Sequence, residues 1–173
     1  MQSNVVIVRP ADLSDVSDLV RNLRPEDHRE IASTQGDVDH ASLFAYAIGV
    51  STSAFTAIEA ASGRVVCMGG VGPRGDGTGS VWLHGTPLMR THALSLARMT
   101  PEAVKLLHRD FRILSNWADT RNTLHIRWLQ WAGFRFLRTT TTHSLDGSPF
   151  VEFFRMDQPP CATPSPRQFS PPV

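Results

Sequence analysis

Three side chains in the sequence could act as a general base. His84 stands in a segment predicted to be a strand, Glu59 in one arm of a predicted hairpin, and His92 just before a predicted helix. A histidine with an ordinary pKa of about 6.5 can remove a proton from an amine near neutral pH. The spacing identifies no partner for any of the three, so a solvated or structural role is the alternative for each.

The sequence patterns for a zinc site, a phosphate-binding loop and a disulfide framework are each incomplete. The seven histidines are dispersed, without a His-x-x-x-His pair or paired cysteines, so no zinc site is expected. The glycine-rich run 71–79 lacks the Gly-Lys-Ser/Thr of a phosphate-binding loop and suits a hairpin loop between two strands. Cys67 and Cys161 lie far apart, which favours a reducing compartment over a disulfide framework.

The overall composition is that of an ordinary globular domain. The 173 residues are 41% hydrophobic and 19% charged, and the formal net charge is +1. Such a balance gives no general attraction to nucleic acid or anionic lipid. No window approaches the roughly 20 apolar residues of a membrane helix, and residues 1–10 lack the charged start of a signal peptide. We therefore expect a soluble protein with no nucleic-acid partner and no membrane association.

The elements that would position the candidate bases alternate between strands and helices. Apolar spacing and turn residues predict the order β-α-α-α-β-β-β-α-β-α-β-β, with antiparallel strands in the middle. The nearly all-apolar run 41–50 predicts a mostly buried helix, with the ring of Tyr46 buried as well. Thr100 followed by Pro101 predicts the start of a new helix, because proline favours the first helical position.

The sequence divides into a domain, residues 1–156, and a tail, residues 157–173. The tail contains six prolines among Ser, Thr, Gln and Arg, without a periodic apolar face. Such segments favour extended conformations and form no core of their own. We predict that the tail docks on a neighbouring subunit or another protein, with Phe169 and Val173 as apolar anchors.

The segment Asn122-Thr-Leu-His-Ile-Arg-Trp-Leu-Gln-Trp-Ala-Gly133-Phe134 resembles the C-terminal signature of the GNAT acetyltransferases, Asn-x-x-Ala-x-x-Leu-Tyr-x-x-x-Gly-Phe. Physically it is a helix ended by a glycine that can take positive φ, after which Phe134 returns the chain to the core. Trp128 and Trp131 should supply at least one buried anchor. Residues 8–15 are similar to that family's first strand and helix. The resemblance spans residues 4–156 and implies an α/β fold with a mixed, mostly antiparallel sheet flanked by helices.

The resemblance also implies an acetyl-CoA site, and here the sequence departs from the family's pattern. Active members hold the CoA diphosphate on backbone amides of a glycine-rich loop, whereas Thr91, Ala93 and Ser95 stand where glycines would be. The tyrosine that commonly acts as acid toward the departing thiolate is replaced by Leu129. If the protein is active, His84 and Glu59 are the implied catalytic residues. The implied cofactor-binding set is then Leu83, Gly85, Arg90, Thr91, His92, Ala93, Leu94, Ser95 and Asn122.

Three short motifs carry a narrower resemblance. They are Asn116-Trp-Ala-Asp119-Thr-Arg121-Asn122, then Trp128-Leu129 before Gly133-Phe134, and Trp82-Leu83-x-Gly85-Thr86. They resemble the acetyltransferase-like assembly and internal virion proteins of short-tailed phages. This implies a catalytically degenerate structural component of a virion, in the particle or the host cytoplasm. It would bind itself or other virion proteins and need no cofactor. The alternatives are a divergent N-acetyltransferase that uses acetyl-CoA, and an inhibitor of a host protein.

Overall fold

The structure, a computed structural model, describes residues 5–157, so nearly all of the predicted tail lies outside the described residues. Within them the chain forms seven strands and six α-helices in the predicted order, with one extra short helix. The strands are β1 (Val6–Pro10), β2 (Ser53–Glu59), β3 (Val65–Pro73), β4 (Gly79–Gly85), β5 (Ile113–Asp119), β6 (Arg135–Thr140) and β7 (Phe150–Met156). The helices are α1 (Val16–Arg21), α2 (Pro25–Gln35), α3 (His40–Val50), α4 (Leu88–Thr91), α5 (Ala93–Leu107) and α6 (Thr123–Trp131).

All described strands join one sheet in the order β1-β2-β3-β4-β5-β7-β6. Every neighbouring pair is antiparallel except β4 with β5, which is parallel. The glycine-rich run 71–79 forms the turn between β3 and β4, as the hairpin prediction requires. The predicted α/β fold with a mixed, mostly antiparallel sheet is confirmed.

Helices cover both faces of the sheet. Neighbouring strand residues point to opposite faces. Trp82 packs with the cluster that α1 and α3 build around Leu19 and Phe44. Val81 belongs to the opposite cluster, with Val104 of α5 and residues of α6. The sheet therefore separates these two clusters, and an opening between two strands connects the two sides of the core.

Helix α3 is less buried than its composition predicts. Asp39 caps it, accepting hydrogen bonds from the amides of Ala41 and Ser42, which agrees with the predicted start. Phe44 is its one buried residue, and Tyr46 is 69% exposed. The prediction of a buried Tyr46 is wrong. A helix that is apolar all round carries no amphipathic stripe, so its sequence cannot tell which side the sheet covers.

Helix α5 is continuous through Pro101, so the predicted new helix start at Thr100 is wrong. The buried Thr100 hydroxyl donates to the carbonyl of Leu96 in the preceding turn. Proline in a helix interior removes one backbone hydrogen bond, and it is tolerated here beside a hydroxyl that is satisfied within the same helix. A threonine–proline pair can therefore stand inside a helix as well as at its start.

Helix α6 ends as the signature predicts, because Gly133 has a φ of 85°. Leu129 is only 2% exposed and lies in the core. Trp128 is partly buried against the same core, whereas Trp131 is 58% exposed and anchors nothing in the described chain. The main anchor of this helix is thus a leucine rather than a tryptophan.

Leu129→Ala should reduce the free energy of unfolding by about 2–5 kcal/mol, because it leaves a cavity in the core. The matched control is Leu124→Ala on the same helix, where the side chain is 52% exposed. That change should alter stability by no more than about 0.5 kcal/mol. Urea unfolding of both variants measures the difference, and equal losses would contradict the placement of α6.

Candidate active site

The parallel strands β4 and β5 separate almost as soon as they pair. Within the described chain their Cα partners are Gly79 with Leu114 and Ser80 with Ser115. At the next position Asn116 Nδ2 donates a hydrogen bond of 2.6 Å to the carbonyl of Val81, so a side chain replaces the backbone ladder. A gap opens beyond this bond, toward the carboxyl end of β4.

The Leu83 peptide of β4 faces the gap, where its N–H and C=O can bind a ligand. In an antiparallel pair, alternate residues turn their N–H and C=O groups away from the partner strand. Gly85 does so, since its N–H donates to Asp27 Oδ2 (3.0 Å) and its carbonyl accepts from the Arg24 amide. Leu83 lies two residues earlier and has the same orientation. In the described chain the pairing of β4 with β5 ends at Ser80 and Ser115, so the Leu83 peptide faces the gap without a strand partner.

A cavity of about 530 Å³ passes through this gap and reaches both faces of the sheet. On the side of α2 its wall carries polar and aromatic groups, among them Glu30, Trp82 and His84. On the side of α5 most of the wall is hydrocarbon and thioether, from residues such as Leu83 and Met89, and Arg98 and Glu102 lie at its edge. The cavity thus has a polar arm and an apolar arm that meet at the open peptide.

Asp27 organises the polar arm. Its carboxylate is 2% exposed and accepts two hydrogen bonds of 2.8 Å from the Arg24 guanidinium. His84 Nδ1 lies 3.7 Å from Asp27 Oδ1, too far for a hydrogen bond but within ion-pair range. Burial raises the pKa of Asp27, but His84 and Arg24 outweigh it, so the pKa lies well below its usual value. Asp27 therefore stays ionised, and it holds the end of β4 through the Gly85 amide.

Glu30 has the opposite character. It follows Asp27 by three residues, so both side chains lie on one face of α2. Burial raises the pKa of Glu30 to about 7; His84 lowers it, and the nearby Asp27 and Asp119 raise it further. A carboxyl group that titrates near neutral pH inside a cavity is suited to accept and release a proton.

Helix α6 contributes His125 to the same cavity. It stands one turn before Leu129, the position where the family signature carries tyrosine. Burial lowers the pKa of His125 to about 4, so the ring is neutral at neutral pH. A neutral imidazole keeps one N–H donor and one acceptor nitrogen. His125 can therefore supply a hydrogen bond at the place where Leu129 cannot.

The three predicted bases occupy different places. His84 lines the cavity, whereas Glu59 and His92 lie at the far end of β2, where His92 Nε2 is 2.8 Å from Glu59 Oε1. Hydrogen bonds from Ser62 and from His92 lower the pKa of Glu59. His92 is fully buried, and no group of residues 5–157 bonds to its Nδ1. This pair holds the start of α5 against the hairpin and does not line the cavity.

Two helices take up the predicted diphosphate loop, residues 90–95: α4 ends at Thr91 and α5 begins at Ala93. The amides of Met89, Arg90 and His92 donate to carbonyls of the same turn, at residues 86–88. Met89 also covers Gly85, where a Cβ atom would collide with its sulfur. A phosphate cradle needs amides without internal partners. The amides of Arg90 and His92 are therefore not open to the diphosphate of CoA, although the open Leu83 peptide fits its thioester arm.

The remaining predicted cofactor residues lie around this turn or at α6. Arg90 pairs with Glu26 at 3.4 Å, and its side chain is largely exposed. Thr91, Ala93 and Leu94 are exposed at the junction of α4 and α5. Asn122 is buried and caps α6 through Oδ1, which accepts from the His125 amide. Its Nδ2 has no hydrogen-bond partner in the described chain.

Neither a protein-family model nor a curated protein sequence matches this chain. Solved structures do match it. A GCN5-related N-acetyltransferase from Kribbella flavida aligns at 16% identity and a TM-score of 0.63, covering 87% of this chain and 97% of that one. Ard1 from Thermoplasma volcanium aligns at 13% identity and a TM-score of 0.67, covering 89% and 99%. The chain has the GNAT fold.

A third GNAT structure matches over a similar length. It is a phosphinothricin acetyltransferase from Sinorhizobium meliloti in complex with acetyl-CoA, at 13% identity and a TM-score of 0.67, covering 90% of this chain and 89% of that one. Identities this low carry the fold alone.

The sequence alone assigns no role to Asp27 or Glu30. The available signal was the spacing Asp27-x-x-Glu30 beside Ile31, which places two carboxyl groups next to the apolar edge of α2. Helix residues three apart lie on one face, so this spacing places both carboxyl groups on the same side of α2.

Glu30 should make the protein less stable above neutral pH. The unfolded chain loses this proton near pH 4.5, whereas the folded chain keeps it to about pH 7. The contribution of protonated Glu30 to the free energy of unfolding is therefore complete below pH 4.5. It is lost as the pH rises to 7, by up to about 3 kcal/mol. Glu30→Gln should remove this loss. Urea unfolding at pH 5 and pH 8 tests it, and a stability difference from wild type that is the same at both pH values would contradict it.

Proposed function

We propose that this protein transfers an acyl group from a thioester to an amine in the gap between β4 and β5. The observation that carries the proposal is Glu30, a carboxyl group with a pKa of about 7 in the polar arm of a cavity that crosses the sheet. A CoA-type thioester supplies the activated acyl carbon. The chain supplies an open peptide, a base and a neutral imidazole around one space.

The roles follow from position and charge. Glu30 accepts the proton of an attacking amine, since its carboxyl group titrates near neutral pH. The N–H of Leu83 is the donor that the gap offers to an acyl carbonyl oxygen. His125 offers a hydrogen bond to the leaving sulfur from the opposite side of the gap. Asp27 holds the end of β4, and His84 lies beside it in the polar arm; both act as positioning residues.

A covalent route through cysteine is not supported by the residues of the cavity. Cys67 lines it, but burial raises the pKa of its thiol to about 12. The reactive form of cysteine is the thiolate, which is nearly absent at neutral pH for such a group. Direct attack of the amine on the thioester is therefore the route proposed.

The experiment is a thiol-release assay with acyl-CoA donors and a panel of primary amines. We expect turnover above the rate of the uncatalysed reaction. Acetyl-CoA alone should bind weakly, with a Kd of about 1 mM, because the diphosphate turn is filled by α4. Absence of turnover with every donor and amine would contradict the proposal.

A second candidate is a non-enzymatic role, including the virion component implied by the narrower sequence resemblance. The observations that favour it are the filled diphosphate turn and Leu129 in place of tyrosine. None of the structural matches described above is a phage protein. The test is truncation after Met156: the domain should still fold, while a tail-dependent assembly should fail to form.

A further inference from the structure

We propose that the apolar arm of the cavity binds an acyl chain longer than acetyl. The apolar arm is the part of the cavity between α5 and strands β1 to β4. The inference rests on the proposed function, because it assumes that the acyl carbonyl lies in the gap beside Leu83. It specifies the donor class as a medium-chain acyl thioester.

Along the sheet the apolar arm is lined mostly by hydrocarbon side chains, to which Ser53 and Cys67 add one hydroxyl and one thiol. β1 contributes Val8, β2 contributes Phe55 and Ala57, and β4 contributes Leu83. From β4 to β1 the arm crosses three strand spacings, a distance of about 14 Å. An acetyl group fills a small fraction of such a length, whereas an extended hydrocarbon chain can lie along it.

Strand β3, between β2 and β4, places no side chain into the arm at Gly69. Gly69 of β3 carries no side chain, and a Cβ atom there would lie 2.9 Å from Leu83 Cδ1 and 3.0 Å from Phe55 Cζ. Both distances are shorter than ordinary contacts. Leu83 and Phe55 therefore lie flat across Gly69, and the floor is a continuous hydrocarbon surface.

Helix α5 forms the roof and does not fill the space below it. Its buried residues are Thr100 and Val104, both in its carboxyl-terminal half. Leu96 and Met99 line the cavity and are only half-buried. Apolar cavities of this kind exclude water and accept apolar ligands.

The charge distribution decides which substrate group enters each arm. An amine needs polar partners, and the polar groups of the cavity lie near Glu30 and His84. Arg98 and Glu102 of α5 also line the cavity, but both residues are exposed at its edge. The apolar arm therefore suits the acyl chain, and the polar arm suits the amine.

An acyl chain would also compensate for the missing diphosphate cradle. Each buried methylene contributes a factor of about four in affinity. A few methylenes in the apolar arm therefore replace the binding that the filled turn at α4 cannot give.

The test is calorimetric titration of the full-length protein with acetyl-, butanoyl-, hexanoyl- and octanoyl-CoA. We expect the Kd to fall about fourfold for each added methylene until the arm is full. Met99→Trp should abolish this dependence by filling the arm. The control is Lys105→Trp on the same helix, where the side chain is 72% exposed and the dependence should persist.

A Kd that stays constant or rises with chain length would overturn the inference, as would an equal effect of the two tryptophan variants. Failure of the proposed function gives a different result. If the Kd depends on chain length but no thiol is released, the apolar arm binds acyl chains and the proposed acyl transfer is wrong. If turnover is fastest with acetyl-CoA, the proposed acyl transfer is supported and the binding of a longer acyl chain is contradicted.

Discussion

Glu30→Gln is expected to lower the rate of acyl transfer by about 100-fold to 10,000-fold, the usual contribution of a positioned general base. Glutamine keeps the size of the side chain and removes its ability to accept a proton. The loss should appear in kcat, because Glu30 acts on the amine proton during the reaction. Steady-state thiol release at pH 7.5 measures it.

The control is Glu26→Gln, one turn earlier on α2. Glu26 pairs with Arg90 outside the cavity, so its replacement should leave the rate unchanged within a factor of two or so. Equal losses in the two variants would show that α2 has been disturbed, and an unchanged rate in Glu30→Gln would exclude it as the base.

Asp27→Asn should reduce the free energy of unfolding by about 3–5 kcal/mol, the usual effect of removing one partner from a buried ion pair. The change leaves the Arg24 guanidinium, only 11% exposed, without its charged partner. It also weakens the acceptor for the Gly85 amide, which ties α2 to β4. Urea unfolding at pH 7 measures the loss.

The sign of the pH dependence follows from the low pKa of Asp27 in the folded chain. Stability from this group is present above the usual pKa of 3.8 and is lost as the pH falls below it. The control is Asp37→Asn at an exposed position, which should change stability by no more than about 0.5 kcal/mol. Comparable losses in both variants would contradict the role of Asp27.

Much of the fold could be predicted because its signals are local. The turn at Gly133 needs positive φ, and the hairpin run 71–79 needs glycines, so the residues themselves mark these points. The errors arose where a local signal has two meanings. Pro101 fits both a helix start and a helix interior, and the apolar α3 does not reveal which side is covered.

The site could be predicted less well because it depends on contacts between distant segments. Glu30 and His84 are far apart in sequence, and only the packing of α2 on the end of β4 brings them to one cavity. The pKa of Glu30 is then set by burial, which no spacing reveals. Conversely, Glu59 was a reasonable candidate by type, but its strand end carries it to His92 and away from the gap.

The pH dependence of acyl transfer by the wild-type protein tests the central claim most directly. If Glu30 is the base, kcat/KM for the donor should rise with pH through a single ionisation near pH 7, because only the carboxylate accepts a proton. The profile is measured as thiol release from pH 5 to pH 9 at saturating amine. A midpoint near pH 7 that disappears in Glu30→Gln is the predicted result. A profile that is flat across this range, or a protein with no thiol release at any pH, would contradict it.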